Sequence, residues 1–220
     1  MLFCIGDIHG HFDKLIRVMH LCRGFASERG VRHPRFVLLG DYVDRGPASR
    51  QVLDFLAARP MDVTALCGNH EDLMLRARHD DTAQIIWLRN GGMATLESYG
   101  VGEVDAIPES VFALIADLPI FHDDGLRLFV HAGIDAADPQ ARVREVLLWT
   151  RNHPPADLPL DRLLVHGHTP VKGKYPELHA NRLNLDTGAG WGRNLSAAAF
   201  DESQKPPIAY INNLGEIRIA

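Results

Sequence analysis

Five short clusters in the sequence combine carboxylate, amide and imidazole side chains, which are groups that bind divalent cations. In chain order they are GDIHG (6–10), GDYVDRGP (40–47), GNHE (68–71), HAG (131–133) and HGHT (166–169). Mixed oxygen and nitrogen ligands suit catalytic divalent cations, whereas a structural zinc site would be built with thiolates. The clusters therefore predict a metal centre that takes part in chemistry.

Six residues of these clusters are the candidate metal ligands: Asp7, His9, Asp41, Asn69, His131 and His168. Asp7 and His9 are two positions apart, so extended backbone would direct both side chains to one side. Two cations about 3.5 to 4 Å apart need a shared ligand, and the carboxylate of Asp41 is the candidate. Cations held in this way would deprotonate a shared water near neutral pH and aim the hydroxide directly at phosphorus.

The second and third clusters also offer groups for substrate binding and proton transfer. Arg45 carries a planar guanidinium that matches a phosphate through two hydrogen bonds, and the following Gly-Pro is typical of a turn into a helix. A leaving alkoxide needs a proton, and His70 is the candidate general acid, with Asp44 as the carboxylate that orients it. The sequence therefore predicts phosphate binding and acid catalysis beside the metals.

Alternating β-α units must position these clusters. The apolar runs 2–5, 36–39 and 61–67 are predicted strands, and each ends at a cluster. Amphipathic helices are predicted at 11–22 and 49–58, between these strands. Since parallel neighbouring strands end at one edge of a sheet, the clusters are expected to meet where α/β folds bind ligands.

The remainder of the chain predicts a helical middle and a strand-rich second half. Residues 71–119 are predicted to be mostly helical and contain no catalytic cluster. Strands resume after Pro119, with one helix at about 139–147. A sheet packed on the first sheet is favoured over a separate unit, so residues 1–220 are expected to form one domain.

Composition limits the kinds of binding partner and the cellular compartment that we expect for this protein. A formal net charge of −5 and a pI near 6.2 provide no basic footprint for nucleic acid. Cys4, Cys22 and Cys67 form neither an even set nor a CxxC pair, which favours buried thiols in a reducing compartment. The short apolar start has no basic leader, and no apolar run is long enough to span a bilayer. We expect a cytoplasmic protein without a membrane partner.

In this order, the five clusters resemble those of the phosphoprotein phosphatase family of calcineurin-like metallophosphoesterases. The stretch DTGAGWGRNL (186–195) is similar to the bacterial and phage-type serine/threonine protein phosphatases of that family. The motifs span residues 6–190, nearly the whole chain. The resemblance implies an α/β (α+β) fold, a four-layer β-sandwich flanked by helices, with two divalent metal ions.

The resemblance also implies roles for individual residues. It assigns the ligands of the two cations: Asp7, His9 and Asp41 to the first, and Asp41, Asn69, His131 and His168 to the second. Arg45 and Asn69 would contact phosphate, as would Arg151 in a loop that varies within the family. His70, together with Asp44, would protonate the leaving oxygen. Manganese is the expected metal, while iron, zinc, cobalt and nickel also suit these ligands.

The activity implied is hydrolysis of phosphomonoesters, with phosphoserine and phosphothreonine in a phosphoprotein or phosphopeptide as substrate. The first alternative is a symmetrical dinucleoside tetraphosphatase, although in those enzymes the residue before Arg-Gly-Pro is typically alanine, and here it is Asp44. The weakest alternative is a non-catalytic binding module. Glu71 is interpreted only as an acid in the first turn of a helix, and Asp186 as a turn residue or as support for a ligand histidine.

Overall fold

The computed structural model describes residues 1–155 and 157–220, in which short apolar runs pair into two β-sheets. In chain order the strands are β1 (Leu2–Ile5), β2 (Arg35–Leu38), β3 (Val63–Ala65), β4 (Phe121–Asp123), β5 (Arg127–Val130), β6 (Leu163–His166), β7 (Glu177–Leu178), β8 (Arg182–Asn184), β9 (Ser196–Phe200), β10 (Ala209–Asn212) and β11 (Ile217–Ile219). The first sheet has the order β11-β10-β9-β1-β2-β3, and the second has the order β4-β5-β6-β8-β7. Within them, β1, β2 and β3 are parallel, as are β5, β6 and β8.

Helices cover the outer faces of the two sheets. They are α1 (Phe12–Ser27), α2 (Ser49–Ala57), α3 (Asn69–Arg76), α4 (Asp81–Trp87), α5 (Met93–Tyr99), α6 (Glu109–Ala116) and α7 (Arg144–Trp149). A π-type turn at Leu88–Gly92 joins α4 to α5, and 3-10 turns lie at Val104–Ala106 and Ala189–Trp191. The middle of the chain is therefore mostly helical, as the sequence predicts.

Alternation along β1 shows how the layers are built. Phe3 and Ile5 belong to the core between the first sheet and helices such as α1 and α2, while Leu2 and Cys4 point into the core between the sheets. Successive strand residues face opposite sides, so a strand covered on both sides is apolar throughout. Leu147 of α7 packs on the outer face of the second sheet. The layers are helices, sheet, sheet and helix, and the expected α/β fold with two packed sheets is confirmed.

Element boundaries differ from the sequence expectations. α1 continues to Ser27 instead of ending near 22, and the predicted helix at 139–147 begins only at Arg144. The strand predicted at 61–67 is shorter, because β3 lies at a sheet edge where Met61 is fully exposed. The short strands β4 and β7 were not predicted, since each exists through antiparallel pairing at an edge of the second sheet.

Two further observations concern the surface and the thiols. Within the described ranges, no helix combines the length and apolarity that crossing a bilayer would require. Cys4, Cys22 and Cys67 are buried free thiols, as expected of small core residues.

Candidate active site

The segments that follow five strands deliver the predicted ligands to one buried cluster. Asp7 and His9 follow β1, Asp41 follows β2, and Asn69 opens α3 after β3. From the second sheet, the segments after β5 and β6 supply the remaining two ligands, His131 and His168. All six side chains are buried. Because the two sheets pack face to face, residues more than 160 positions apart lie in contact, as Asp7 and His168 do.

Asp41 occupies the middle of this cluster. Its Oδ2 lies 3.4 Å from Nε2 of His9, and its Oδ1 lies 3.3 Å from Nε2 of His131. Two groups of potential ligand atoms, each within 4.8 Å of one another, share this carboxylate: His9, Asp41 and His70, and Asp41, His131 and His168. One carboxylate common to two groups is the arrangement that a bridging ligand requires.

The imidazoles of the cluster present lone pairs toward its centre. Nδ1 of His131 donates to the Leu39 carbonyl at 2.9 Å, and Nδ1 of His9 donates to the Val43 carbonyl at 3.0 Å. A neutral imidazole with Nδ1 protonated has only a lone pair at Nε2. Nε2 of His131 nevertheless faces Oδ1 of Asn69 at 2.8 Å, and that oxygen also lies 2.8 Å from Nδ1 of His168. Facing acceptors of this kind are suited to a shared cation.

Burial sets the charge of these groups. Desolvation lowers the pKa of His9 and of His131, and burial together with the nearby His131 lowers the pKa of His168 to about 3. Burial alone would raise the pKa of Asp41, but the surrounding histidines, His131 foremost, lower it. Neutral imidazoles around an ionised carboxylate are the protonation states in which both residue types bind metals.

Asp7 completes the cluster. Desolvation raises its pKa well above the ordinary value, and the neighbouring carboxylates of Asp186 and Asp41 raise it further. Its Oδ2 accepts from the His168 amide at 3.0 Å. The other carboxylate oxygen, Oδ1 of Asp7, is buried with no hydrogen-bond partner in the described part of the chain, and the same is true of Nε2 of His168. Divalent cations would relieve the repulsion and engage these atoms, so the residues present fit a dinuclear centre.

His70 and Asp44 form a buried pair beside Asp41. Nδ1 of His70 donates to Oδ2 of Asp44 at 2.6 Å, and Oδ1 of Asp44 accepts from Trp87 Nε1 at 3.0 Å and Thr95 Oγ1 at 2.7 Å. Desolvation would lower the pKa of His70, but the charge of Asp41 and the bond to Asp44 outweigh it and raise that pKa. The bond to Asp44 thus holds the imidazole in one orientation, and its pKa lies above the ordinary value of a histidine.

Two arginines were predicted to bind phosphate, and the structure places them differently. The guanidinium of Arg45 reaches into the site, with its two terminal nitrogens 2.7 Å from Nε2 of His9 and 2.9 Å from Nε2 of His70. Arg151 is exposed, and its charge contributes to the lowered pKa of His168. Arg45 therefore lies at the centre of the site and Arg151 at its margin.

Strained backbone concentrates at the cluster. Among the described residues, six non-glycine residues have positive φ, and five of them belong to the site: His9, Asp41, Asp44, Arg45 and His168, with φ between 47° and 71°. Each such residue costs about 1–3 kcal/mol and persists only where the surroundings over-determine it. The strain therefore indicates that the fold fixes these side chains against the local preference of the backbone.

The interpretation of Glu71 as a simple first-turn acid is incomplete. It does lie in the first turn of α3, but it is fully buried. Its Oε1 accepts from the amides of Tyr42 at 2.7 Å and Val43 at 3.1 Å, and its Oε2 accepts from those of Asp41 at 2.8 Å and Gly68 at 2.9 Å. Glu71 thereby fixes the strained loop that carries Asp41.

Further residues around the site were not predicted. Trp87 and Thr95 come from the helical middle, in which no catalytic cluster was found, and both donate hydrogen bonds to Asp44. Asp186, left out of the predicted site, is buried, and desolvation raises its pKa to about 6. Trp87 and Thr95 lie 43 and 51 positions from Asp44, and no spacing pattern in the sequence links residues so far apart.

The calcineurin-like phosphoesterase family model matches residues 2–198, and the chain belongs to this family of metallophosphoesterases. The chain is accordingly a hydrolase of a family that uses a dinuclear divalent metal centre and acts on phosphorylated substrates. The two-sheet fold and the cluster around Asp41 are both consistent with this family match.

Comparison with individual proteins gives a mixed picture of the substrate. The chain is 32% identical to serine/threonine-protein phosphatase 1 of Salmonella typhimurium, with 90% of each chain covered. It is 29% identical to the asymmetrical bis(5'-nucleosyl)-tetraphosphatase PrpE of Anoxybacillus flavithermus, with 91% of this chain and 90% of that protein covered. A solved cold-active protein-tyrosine phosphatase of Shewanella superposes with a TM-score of 0.64 at 15% identity, covering 99% of this chain and 79% of that one, and supports the fold alone.

Proposed function

We propose that the chain is a cytoplasmic, metal-dependent phosphomonoesterase that acts on phosphoserine and phosphothreonine in proteins. The observation that carries the proposal is the buried pair of His70 and Asp44, joined at 2.6 Å beside the Asp41 cluster. The pair is a proton donor, and hydrolysis of an alkyl phosphate depends on one.

The proposed metal ligands are the six residues of the cluster: Asp7, His9 and Asp41 for one cation, and Asp41, Asn69, His131 and His168 for the other. When bound, divalent cations there would activate water near neutral pH and neutralise charge on the phosphate. We propose Mn²⁺ as the activating ion in vitro, while iron, zinc, cobalt and nickel suit the same ligands. The protein itself keeps the imidazoles neutral by burial and directs them, together with the Asp41 carboxylate, toward the centre of the cluster.

The leaving group decides how much a general acid matters. An alkoxide released from serine or threonine is strongly basic and must be protonated as its bond to phosphorus breaks. The leaving group of a phosphoanhydride is a phosphate, whose second pKa is about 6, so it departs without a proton. A buried and oriented His70 with a raised pKa is therefore of most use for phosphomonoesters of alcohols.

Arg45 connects phosphate binding to this acid. Its guanidinium lies 2.9 Å from Nε2 of His70, the ring nitrogen that Asp44 leaves free. A phosphate bound by Arg45 and Asn69, with Arg151 at the margin, would place its leaving oxygen near that nitrogen. Once the guanidinium turns from this nitrogen to the phosphate, Nε2 of His70 can carry the proton to the leaving oxygen over a single hydrogen bond.

Dinucleoside tetraphosphates are the second candidate substrates. The similarity to the asymmetrical PrpE enzyme, over nine-tenths of both chains, favours them. The symmetrical type is favoured less, since the residue before Arg-Gly-Pro is Asp44 and that carboxylate is the partner of His70. These substrates contain phosphoanhydride bonds, for which His70 would contribute little.

His70→Asn tests the proposal with three substrates in the presence of Mn²⁺: a phosphoserine peptide, p-nitrophenyl phosphate and diadenosine tetraphosphate. The variant is expected to lower kcat/KM for the peptide by about 10²- to 10⁴-fold, the usual contribution of a general acid. Losses on the other two substrates should be much smaller, because their leaving groups are weak bases.

Exposed His79 provides the matched control, and His79→Asn should leave all three rates unchanged. Equal losses on all three substrates in His70→Asn would argue against its role as the acid. A wild-type kcat/KM that is higher for diadenosine tetraphosphate than for the peptide would favour the second candidate.

A further inference from the structure

Trp191 presents an open aromatic surface beside the buried site. The guanidinium carbon of Arg45 lies 4.6 Å from the centroid of the indole ring, within the range of a cation–π contact. Trp191 is nevertheless 64% exposed. Because one face of the ring lies against Arg45, most of this exposure belongs to the opposite face. A large apolar surface thus lies open next to the residue proposed to bind phosphate.

The turn that carries Trp191 is held from several sides. Its amide donates to the Gly188 carbonyl at 2.9 Å, and the Arg193 amide donates to the same oxygen at 3.0 Å. Nζ of Lys14, in α1, donates to the carbonyls of Ala189 at 3.3 Å and Arg193 at 2.9 Å. The backbone that carries the indole is therefore anchored to the body of the protein.

Gly190 fixes the same turn against the metal cluster. A Cβ at this position would collide with the ring of His9, so only glycine allows the approach. Close packing on a proposed metal ligand sets the distance between Trp191 and the site. An aromatic group placed rigidly and at low entropic cost is the kind of residue that recognises ligands.

The other two tryptophans have different environments. Trp87 is fully buried and donates to Asp44, and Trp149 is half-buried and donates to Oδ2 of Asp72 at 3.3 Å. Structural roles account for both of these residues. Packing does not account for Trp191, whose ring is mostly in solvent.

We propose that Trp191 is a substrate-recognition residue whose open face stacks on a planar aromatic group carried by the phosphoester, either a nucleobase or an aryl ring. The inner face of the ring orients Arg45, so that phosphate and aromatic group are bound side by side. This proposal rests on the metal-dependent phosphoesterase site of the proposed function. It goes beyond phosphoserine and phosphothreonine, which carry no aromatic group, and adds nucleotides or aryl phosphates as ligands of the same site. Stacking of one base on an aromatic side chain corresponds to roughly a tenfold gain in affinity.

Two matched pairs of ligands test the proposal with the Mn²⁺-loaded enzyme. AMP and ribose 5-phosphate differ only in the base, and phosphotyrosine and phosphoserine differ in the aryl ring. Inhibition constants are measured against p-nitrophenyl phosphate for the wild type, Trp191→Ala and Trp191→Phe. The pair that shows a preference distinguishes a nucleobase from an aryl ring as the recognised group.

For at least one pair, the wild type is expected to bind the aromatic member about tenfold more tightly. Trp191→Ala should abolish that ratio, while Trp191→Phe should keep most of it, because a phenyl ring still stacks. No preference in either pair, or a preference that survives Trp191→Ala, would overturn the proposal. If Trp191→Phe lost the preference for the aromatic ligand as completely as Trp191→Ala, this result would also contradict stacking.

Tryptophan fluorescence provides a readout that is independent of activity. Excitation at the red edge should show quenching by the preferred aromatic ligand in the wild type and no such quenching in Trp191→Phe. If the enzyme hydrolyses none of the tested phosphoesters, the proposed function fails while this binding measurement still tests Trp191. An unchanged wild-type spectrum at saturating ligand would count against its role.

Discussion

Asp41 shows how a single side chain can organise a site. Its two oxygens face histidines that come from different sheets, and its backbone adopts a left-handed conformation, with φ of 52°. Desolvation would raise its pKa, and the surrounding histidines, His131 foremost, lower it. The position is thus unfavourable for isolated backbone and for an isolated buried carboxylate, and both costs indicate a functional constraint.

At the residue scale, Asp41→Asn should prevent formation of the dinuclear centre. An amide has one acceptor oxygen and no charge, so it cannot bridge two cations. We expect a lower bound Mn²⁺ stoichiometry by elemental analysis and a fall in kcat/KM of about a thousandfold, as for the loss of several kcal/mol of transition-state stabilisation.

Asp54→Asn is the matched control for this prediction. Asp54 is an exposed carboxylate on α2 that pairs with Arg50 at 3.7 Å. Its replacement should leave metal content and activity unchanged. Full metal occupancy in Asp41→Asn would contradict the assignment of the bridging ligand.

At the scale of elements, the loops after the strands are held by groups from neighbouring helices. Glu71 of α3 accepts four amide hydrogens, three of them from the loop that follows β2. Asp72 of the same helix forms an ion pair with Arg144 of α7 at 2.9 Å, which connects a helix packed on the first sheet to the helix packed on the second. The start of α3 is therefore a structural junction as well as the source of Asn69 and His70.

Glu71→Gln should destabilise the protein even without metal. The amide nitrogen of glutamine cannot accept, so two of the four backbone donors lose their partner in a buried place. We expect the free energy of unfolding in urea, measured on the metal-free protein, to fall by about 3 kcal/mol.

Glu97 on α5 serves as the control, because it is a helical glutamate that is exposed. Glu97→Gln should change the free energy of unfolding by less than about 0.5 kcal/mol. Comparable effects of the two substitutions would mean that the hydrogen bonds of Glu71 contribute little to stability.

At the scale of the whole molecule, the two sheets meet at a place where buried carboxylates repel one another. Desolvation raises the pKa of Asp7, and the carboxylates of Asp186 and Asp41 raise it further. This repulsion is a cost of bringing the sheets together, and cations bound between them would offset it. Metal binding and folding are therefore expected to be coupled.

Adding Mn²⁺ to the chelator-treated protein should raise the midpoint of thermal unfolding, Tm. At a hundredfold excess over Kd, a cation stabilises the native state by about 2.7 kcal/mol, which corresponds to roughly 5–10 °C for a chain of this size. Differential scanning calorimetry measures the shift. The same titration of Asp41→Asn should give a clearly smaller rise in Tm. Equal rises in the two proteins would indicate that Mn²⁺ binds elsewhere.

Much of the site was predictable because its residues come directly after apolar strands. GDIHG and GDYVDRGP follow β1 and β2, and the alternation of strands with amphipathic helices predicts a parallel arrangement that ends at one edge. The pairing of His70 with Asp44 was predicted from residue chemistry, and the structure brings the two side chains to 2.6 Å. Local sequence therefore carried both the candidate residues and their approximate placement.

Short edge strands and long-range partners were not predictable in the same way. β4 and β7 have no strong apolar pattern of their own and form only through pairing with neighbours. Trp87 reaches Asp44 from 43 positions away, and the three amide partners of Glu71 in the loop after β2 are invisible in a local pattern. These contacts depend on how helices dock, which side-chain period alone does not specify.

The sequence by itself determined the strand-end clusters, the two-sheet architecture and the chemical character of the site, because residue type and period are local properties. Only the tertiary structure decided which groups fix the site: Glu71 beneath the Asp41 loop, Trp87 and Thr95 on Asp44, and Trp191 over Arg45. The reason is that burial, charge and orientation depend on neighbours that are distant in the chain and become adjacent only when the layers pack.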